Sequence, residues 1–195
     1  MKYQEINGNL IEMGLNAHFH IIAHGTNCFN IQGKGIALQM KKTFGTDTFK
    51  LEAPIYKGDI NKLGQIDYMN YELKMSGCFR EDYVGVVTHD LGNQLTVVNA
   101  YTQYGPGPNL DYNALRLCLR KINHKFMGKH IGLPLIGCGI AGGIWDINEF
   151  GIKDAESSKK YVQLQQKGFK DVKTIIQEEL KDVDVTIVML KNEEE

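Results

Sequence analysis

The chain has 195 residues, of which 43% are hydrophobic, and it carries a formal net charge of −1 with a sequence pI near 6.6. This length and apolar content predict one globular domain with a full core, over residues 1–195. The balanced charge gives no electrostatic reason to expect nucleic acid or a membrane surface as the main partner. The four cysteines lack metal-ligand spacing, and neither a signal peptide nor a long apolar span is apparent, so we expect a cytoplasmic protein without a zinc site.

The first third of the chain predicts a strand, a turn and then a buried strand that leads into a helix. Tyr3 to Ile6 alternates in polarity, and the turn residues 7–9 follow it. Residues 10–13 lead to the β-branched run 19–23, which predicts a buried strand. Ile36, Ala37, Met40 and Phe44 then recur at helical spacing on one face.

The remainder predicts further strands and helices of a mixed sheet. Thr46 to Tyr56 indicates a second short helical stretch, and an apolar strand begins at Ile131. Residues 112–126 predict a helix with Asp111 as its N-cap and its leucines at 115, 117 and 119 on the apolar face. Strands are predicted at 65–73, 83–88, 95–101 and 183–190, a hairpin turn at 90–93, a helix at 172–180, and a solvated tail at 193–195.

A turn rich in Asn, Gly and Lys joins the buried strand to the first helix. Gly33 and Gly35 leave backbone N–H groups uncovered above the first helical turn, where the helix dipole favours an anion. Phosphate is the predicted occupant, and a simple tight connection is the alternative. Leu38 stands where the dinucleotide pattern needs a third glycine, and Lys34 is followed by glycine rather than Ser or Thr, which excludes a Walker P-loop.

A second glycine-rich turn follows the strand at Ile131. Gly137, Gly139, Gly142 and Gly143 fall within seven positions, and so many glycines are costly in conformational entropy. We interpret them as allowing close approach of backbone to a ligand. Both turns fall at the carboxyl ends of strands, where α/β sheets bind ligands, so together they predict a site that grips a diphosphate from two sides.

Three motifs resemble those of a known family. They are Gly8-Asn9-Leu10, the set His24, Asn27, Cys28, Gly33, Gly35, Ile36 and Ala37, and the set Gly137, Gly139, Ile140, Gly142 and Trp145. On these motifs the chain is similar to the macro domain, an ADP-ribose-binding module, and most similar to its ADP-ribose 1″-phosphate phosphatase branch, which includes versions carried by bacteriophages. The resemblance implies a three-layer α/β/α fold with a central mixed sheet, a host-cytoplasm location if the protein is viral, and an insertion at 148–169 with a partly helical middle.

The sequence departs from the family pattern at two places. Most macro domains have an aspartate at the position of Asn9, where it accepts a hydrogen bond from the adenine amino group; the asparagine carbonyl can still accept that bond. Glutamate-ADP-ribose hydrolases of a sister branch carry a catalytic aspartate soon after the Gly-Cys-Gly of the second turn. This chain has Ile140 and Ala141 there, which speaks against that chemistry.

The resemblance implies the residues of the site. His24 and Asn27 are predicted to be catalytic: His24 would end its strand beside the anion turn and move a proton or attack phosphorus, and Asn27 would hold the distal ribose or place a water. The structural alternatives are a satisfied strand-end histidine and a turn-capping asparagine. His89 and Asp90 are predicted either to complete an acid and base pair or to form a hairpin turn. The ADP-ribose-binding residues implied are Gly8, Asn9, Leu10, Asn27, Gly33, Lys34, Gly35, Ile36, Ala37, Gly137, Cys138, Gly139, Ile140, Ala141, Gly142, Gly143 and Trp145.

The expected activity is hydrolysis of the terminal phosphate of ADP-ribose 1″-phosphate, without metal or cofactor. Removal of ADP-ribose or acetyl groups from modified substrates, and a non-catalytic reader of ADP-ribose, are the alternatives, since all three need the same pocket. The expected partners are ADP-ribose, ADP-ribose 1″-phosphate and an ADP-ribosylated protein, with no membrane or nucleic acid, and the expected state is a monomer.

Overall fold

The structure is a computed structural model that describes residues 2–49, 56–73, 94–151 and 154–190. Over these ranges it contains six strands, six α-helices and two 3₁₀ turns. The strands are β1 (Tyr3–Asn7), β2 (Ile21–Asn27), β3 (Ile66–Glu72), β4 (Gln94–Gln103), β5 (His130–Leu133) and β6 (Asp184–Met189). The helices are α1 (Leu10–Leu15), α2 (Gly35–Phe44), α3 (Tyr112–Lys125), α4 (Ile147–Gly151), α5 (Ala155–Gln166) and α6 (Val172–Glu179), and the 3₁₀ turns are Thr46–Thr48 and Ile60–Lys62.

The strands form one mixed sheet in the order β1-β6-β5-β2-β4-β3. Every neighbouring pair is parallel except β3 and β4, which are antiparallel. The parallel strands therefore all end at one edge of the sheet, and both glycine-rich turns leave the sheet at that edge.

Helices cover both faces of the sheet, so the predicted three-layer arrangement is confirmed. On one face α3 and α6 pack against β2, β4, β5 and β6 through a core that includes Leu115, Leu119 and Ile176. On the other face α1 and α2 bury Leu10, Met40 and Phe44 against β2 and β4. The carboxylate of Asp111 accepts from the backbone N–H of Ala114 at 2.9 Å, which confirms it as the N-cap of α3.

Several sequence predictions need correction. The sequence analysis missed α1, because a six-residue helix is too short for its apolar period to be seen. Leu117 is 46% exposed, since it points away from the sheet between the buried positions of α3. Of the helical stretch predicted at 46–56, the structure describes a 3₁₀ turn at Thr46–Thr48, and residues 50–55 lie outside the described residues. The strand predicted to end beside the anion turn continues past His24 to Asn27, because β4 pairs with it along its whole length.

Other predictions lie elsewhere in the chain. The segment predicted as an insertion at 148–169 contains α4 and α5, and is more helical than expected. The strand predicted at 83–88, the hairpin turn at 90–93, His89, Asp90 and the tail at 193–195 fall outside the described residues. No helix in the described ranges has both the length and the apolar character needed to cross a membrane.

Candidate functional site

The two glycine-rich turns approach each other at the carboxyl edge of the sheet. The first glycine turn (residues 28–35) follows β2, the second glycine turn (residues 134–143) follows β5, and β2 and β5 are neighbouring parallel strands. Gly35 has a φ of +58°, and a Cβ added there would lie 3.7 Å from Ile140 Cδ1. The chain therefore brings the two predicted phosphate-binding turns together, as the sequence analysis expected.

The N-terminus of α2 differs from that of the other capped helices. Asn9, Asp111 and Asp171 cap α1, α3 and α6 by accepting from backbone N–H groups. At α2 the N-cap residue is Lys34, and its side chain makes no capping hydrogen bond. The first N–H groups of α2 therefore lack a cap within the described structure, and they lie at the positive end of the helix dipole.

The second glycine turn also presents backbone donors. Its fold is held by hydrogen bonds from Gly142 N–H to the Gly139 carbonyl and from Gly143 N–H to the Gly137 carbonyl, of 3.0 and 2.8 Å. Among the described residues, the N–H groups of residues 139–141 have no hydrogen-bond acceptor. Ile140 is 53% exposed between them. Two sets of unpaired amides thus lie on the facing turns.

Packing accounts for three of the four glycines that the sequence analysis attributed to ligand approach. A Cβ on Gly143 would lie 2.4 Å from Leu110 Cδ2, and one on Gly137 would lie 2.8 Å from Leu110 Cδ1. Gly142 has a φ of +72° and packs on Pro108. A Cβ on Gly139 would meet no atom within 4 Å. The earlier interpretation was therefore too broad, and Gly139 is the glycine of this turn whose free side faces open space.

The predicted site residues differ widely in exposure. Trp145 and Cys138 pack partly against the core beneath α3 and α6. The predicted residues that are exposed are Gly33, Lys34, Gly35, Gly139, Ile140 and Gly142. Those that are partly buried are Gly8, Asn9, Ile36, Ala37, Gly137, Cys138, Gly143 and Trp145, and those that are buried are Leu10, His24, Asn27 and Ala141.

His24 lies inside the protein under the first glycine turn. It is 0% exposed, and its Nε2 is 2.7 Å from Asn99 Oδ1, directly across the pairing of β2 with β4. Asn99 Nδ2 donates to the carbonyl of Thr46, so Asn99 Oδ1 is the acceptor and Nε2 carries the proton. Burial lowers the pKa of His24 to about 4, so the ring is neutral near pH 7. The structure gives the ring no exposed surface toward a ligand, and the catalytic role stays a prediction.

A row of polar side chains extends from His24 across the sheet. Asn99 of β4 lies opposite His24 in the register with β2 and opposite Asp67 in the register with β3. The hydroxyl of Tyr101 donates to Asp67 Oδ2 at 2.6 Å, and burial raises the pKa of the Asp67 carboxyl. The apolar core between α2 and the sheet therefore gives way to a polar layer as the strands approach the site.

Asn27 and Asn30 shape the first glycine turn. Asn27 Nδ2 donates to the Ile31 carbonyl at 2.8 Å, and its Oδ1 accepts from the N–H groups of Phe29 and Ile31. These contacts correspond to the turn-capping alternative for Asn27. Asn30 was missed by the sequence analysis; its φ is +54° and its Oδ1 is buried without a partner. The signal available was that asparagine is enriched at left-handed positions in turns.

Asn9 also has a structural role. Its Oδ1 accepts from the N–H groups of Ile11 and Glu12 at 3.0 and 3.3 Å, which caps α1. Asn9 follows β1, and three strand spacings separate β1 from β2 in the sheet order. At about 4.8 Å each, these spacings amount to about 14 Å, a separation that a nucleoside diphosphate can span.

Nucleophilic cysteine chemistry is disfavoured at this site. Burial raises the pKa of Cys138 to about 12 and also raises the pKa of Cys28. Both thiols are therefore protonated at neutral pH, and a protonated thiol is a poor nucleophile. Over the described ranges, no group of three or more His, Cys, Asp or Glu side chains is arranged to hold a metal ion.

Comparison with known proteins gives one related sequence and several similar structures. No family model matches the chain. It is 39% identical over 142 residues to the uncharacterized 17.5 kDa protein of the tk-vs intergenic region of Enterobacteria phage T4, an alignment that covers 71% of this chain and 80% of the phage protein.

The similar structures support the fold. A Bacteroides thetaiotaomicron protein of unknown function has a TM-score of 0.52, is 23% identical and aligns over 97% of this chain and 99% of its own. The macrodomain of Mycobacterium tuberculosis DarG has a TM-score of 0.50 at 18% identity, with 95% of this chain and 96% of its own covered. Thermosipho africanus DarTG, solved in complex with ADP-ribose, has a TM-score of 0.55 at 14% identity, with all of this chain and 43% of its own covered. The chain therefore belongs to the family of the phage T4 17.5 kDa protein and has the macro domain fold.

Proposed function

We propose that the chain binds ADP-ribose, with the diphosphate held between the two glycine turns. The approach of Gly35 to Ile140 on neighbouring parallel strands, with unpaired amides on both sides, is the observation that carries this proposal. Uncapped helix N-termini and turns of free N–H groups favour phosphate oxygens. The complex of Thermosipho africanus DarTG with ADP-ribose supports the same ligand.

The adenine would lie beside β1, three strands away from the first glycine turn along the carboxyl edge of the sheet. Asn9 follows β1, and its side-chain oxygen, which caps α1, would also accept a hydrogen bond from the adenine amino group. The distal ribose would lie beyond the first glycine turn, beside Asn30.

The reaction proposed at this site is hydrolysis of the terminal phosphate of ADP-ribose 1″-phosphate. Water attacks the phosphoryl group, the bond between phosphorus and the ribose oxygen breaks, and phosphate and ADP-ribose are released. The spacing of His24, Asn27 and Cys28 supports this branch of the family. A non-catalytic reader of ADP-ribose is the second candidate, and the complete burial of the His24 ring favours it.

Binding is tested best at two glycines whose free sides are open. Gly33 and Gly139 each leave more than 4 Å of space around an added Cβ, so Gly33→Glu and Gly139→Glu add bulk and negative charge without a clash in the fold. Calorimetry should show that either variant loses ADP-ribose binding. Gly139→Gln, which adds the same bulk without the charge, should lose less. Unchanged affinity in both glutamate variants would refute the diphosphate assignment.

Turnover is tested by phosphate release from ADP-ribose 1″-phosphate, with and without a chelator. If His24 acts as a general acid or base, His24→Ala should reduce the rate by about 10²–10⁴-fold and leave ADP-ribose binding nearly intact. His124→Ala, at an exposed position in the last turn of α3, is the matched control. Full activity in His24→Ala would remove the catalytic role, and binding without any release in the wild type would favour the reader.

A further inference from the structure

A cavity of about 490 Å³ adjoins the first glycine turn on the side away from the second. Its lining includes Asn30 and Gly33 of the turn together with Lys41, Lys57 and Lys62. This volume is within the range of small-molecule sites, about 300–1,000 Å³. We call this space the lysine cavity.

The charges of the lysine cavity are not balanced by the described residues. Lys41 pairs with Asp47, also in the lining, at 2.8 Å. Lys57 and Lys62 take part in none of the ion pairs among the described residues. The lining therefore carries two cationic side chains without a carboxylate partner, an arrangement that favours an anionic occupant.

Lys62 is the most informative of these residues. It is only 7% exposed, although a buried lysine normally has an anionic partner. Its Nζ lies 5.7 Å from the centre of the Tyr101 ring. Asp67 is near enough to interact electrostatically with Lys62, but it is held by the Tyr101 hydroxyl at 2.6 Å. The Lys62 side chain is thus largely buried in the wall of a cavity, and its ammonium group has no ion-pair partner among the described residues.

The order of the strands gives the cavity its place relative to the proposed ligand. Along the carboxyl edge the sequence is β1 with Asn9, then β6, β5 with the second glycine turn, β2 with the first, and β4. Lys62 lies over Tyr101 of β4, so the cavity follows the first glycine turn on the side opposite to β1. A ligand with its base at β1 and its diphosphate between the turns would direct its distal sugar toward the cavity.

From the cavity and its two unpaired lysines, we infer that the lysine cavity is a second anion subsite that binds a phosphate group carried on the distal ribose. Lys62 is the charged contact that favours the phosphorylated ligand over ADP-ribose. Asn30 of the first glycine turn also belongs to the cavity lining. This inference rests on the proposed function for the placement of the sugar, whereas the anion site itself rests on the lysines alone.

The first experiment uses inorganic phosphate as the probe, measured by calorimetry at constant ionic strength against chloride. Wild type should bind phosphate, and Lys62→Met should bind it at least about tenfold more weakly because a charge-assisted hydrogen bond is lost. Lys62→Arg should retain most of the affinity. Lys42→Met, at an exposed position of α2 outside the lining, is the matched control and should match wild type. If Lys62→Met does not fold, the exposed Lys57→Met takes its place.

The second experiment asks whether phosphate and ADP-ribose occupy separate places. With the glycine turns filled by saturating ADP-ribose, wild type should still bind phosphate, and Lys62→Met treated in the same way should bind it at least about tenfold more weakly. The KM of ADP-ribose 1″-phosphate is compared with the product-inhibition constant of ADP-ribose, or the two Kd values are compared where there is no turnover. The phosphorylated ligand should bind wild type more tightly than ADP-ribose does, and Lys62→Met should bind the two ligands alike. Loss of phosphate binding in the presence of saturating ADP-ribose, an equal preference for the phosphorylated ligand in both proteins, or absence of phosphate binding would overturn the inference. If wild type binds phosphate but not ADP-ribose, the proposed function fails while the anion site stands.

Discussion

Replacing Gly143 by alanine should destabilise the fold, whereas the same change at Gly139 should not. The added Cβ of Gly143→Ala would lie 2.4 Å from Leu110 Cδ2 and 2.7 Å from the Gly137 carbonyl oxygen. The leucine side chain can rotate, but the carbonyl is backbone and accepts the 2.8 Å hydrogen bond from Gly143 itself. Relief of the clash must therefore move the second glycine turn.

The magnitude follows from these two contacts. Overpacking costs about 1–3 kcal/mol, and weakening the hydrogen bond costs about 1 kcal/mol more. For a domain of this size, a total of about 2–4 kcal/mol corresponds to a fall in Tm of about 5–15 °C. Gly139→Ala adds a methyl group in open space, and the free energy of unfolding should change by less than about 0.5 kcal/mol.

Thermal unfolding followed by circular dichroism measures the difference, and calorimetry with ADP-ribose gives the complementary result. Gly139→Ala should keep its Tm but lose at least about fivefold in ADP-ribose affinity, because the methyl group would intrude on the diphosphate. A Gly143→Ala protein as stable as wild type would refute the packing argument. An equal loss of stability in both variants would refute the distinction between the two glycines.

Three further changes have defined outcomes. Asn9→Ala should lower the free energy of unfolding by about 1 kcal/mol by removing the α1 cap, and should weaken ADP-ribose but not ribose 5-phosphate; Asn9→Asp is the control, and equal weakening of both ligands would assign Asn9 to the fold alone. Because the pKa of His24 falls from 6.5 to about 4 on folding, the unfolded chain takes up a proton at a higher pH than the folded chain does. The free energy of unfolding should therefore fall by about 3 kcal/mol from pH 6.5 to pH 4. Denaturant unfolding at several pH values should show that this free energy depends less on pH in His24→Gln, and an unchanged dependence would contradict the prediction. Glu179 forms an ion pair with Arg116 at 2.6 Å, and its side chain is 9% exposed. Glu179→Ala should therefore lower the free energy of unfolding in urea by about 2 kcal/mol, more than Glu178→Ala, because the Glu178 side chain is 33% exposed. A larger loss in Glu178→Ala would be inconsistent with this difference in burial.

The sequence predicted the elements whose signals are local. Asp111 before an apolar helical period is enough to predict α3 and its N-cap, because the capping bond joins residues three apart. α1 has the same kind of cap at Asn9, but its six residues include Gly14, which a propensity argument counts against a helix. Gly14 is there for packing: a Cβ would lie 3.2 Å from Ile22 and 3.3 Å from Leu95. That contact joins distant parts of the chain and leaves no trace in local sequence.

The candidate site shows the same division. The two turns could be located because glycines after an apolar strand are a local pattern. The environment of His24 could not, since Asn99 is 75 residues away and its position opposite His24 depends on the register of β2 with β4. Similarly, the reason for Gly143 is Leu110, which the sequence does not place beside it. The pattern therefore indicated where a ligand would bind more reliably than which side chains would touch it.

The polar row of His24, Asn99 and Asp67 has a consequence for how the strands align. β4 is buried on both faces along most of its length, so alternation of apolar and polar residues cannot specify its register, as it does in a half-exposed strand. A shift of β3 by one residue would bring Ile66 or Tyr68 opposite Asn99 and remove Asp67 from the Tyr101 hydroxyl. Each polar group then left unpaired in the core would cost about 1–3 kcal/mol. The polar row therefore stabilises one register of the three strands over the shifted registers. That register determines the level in the sheet at which the first glycine turn begins.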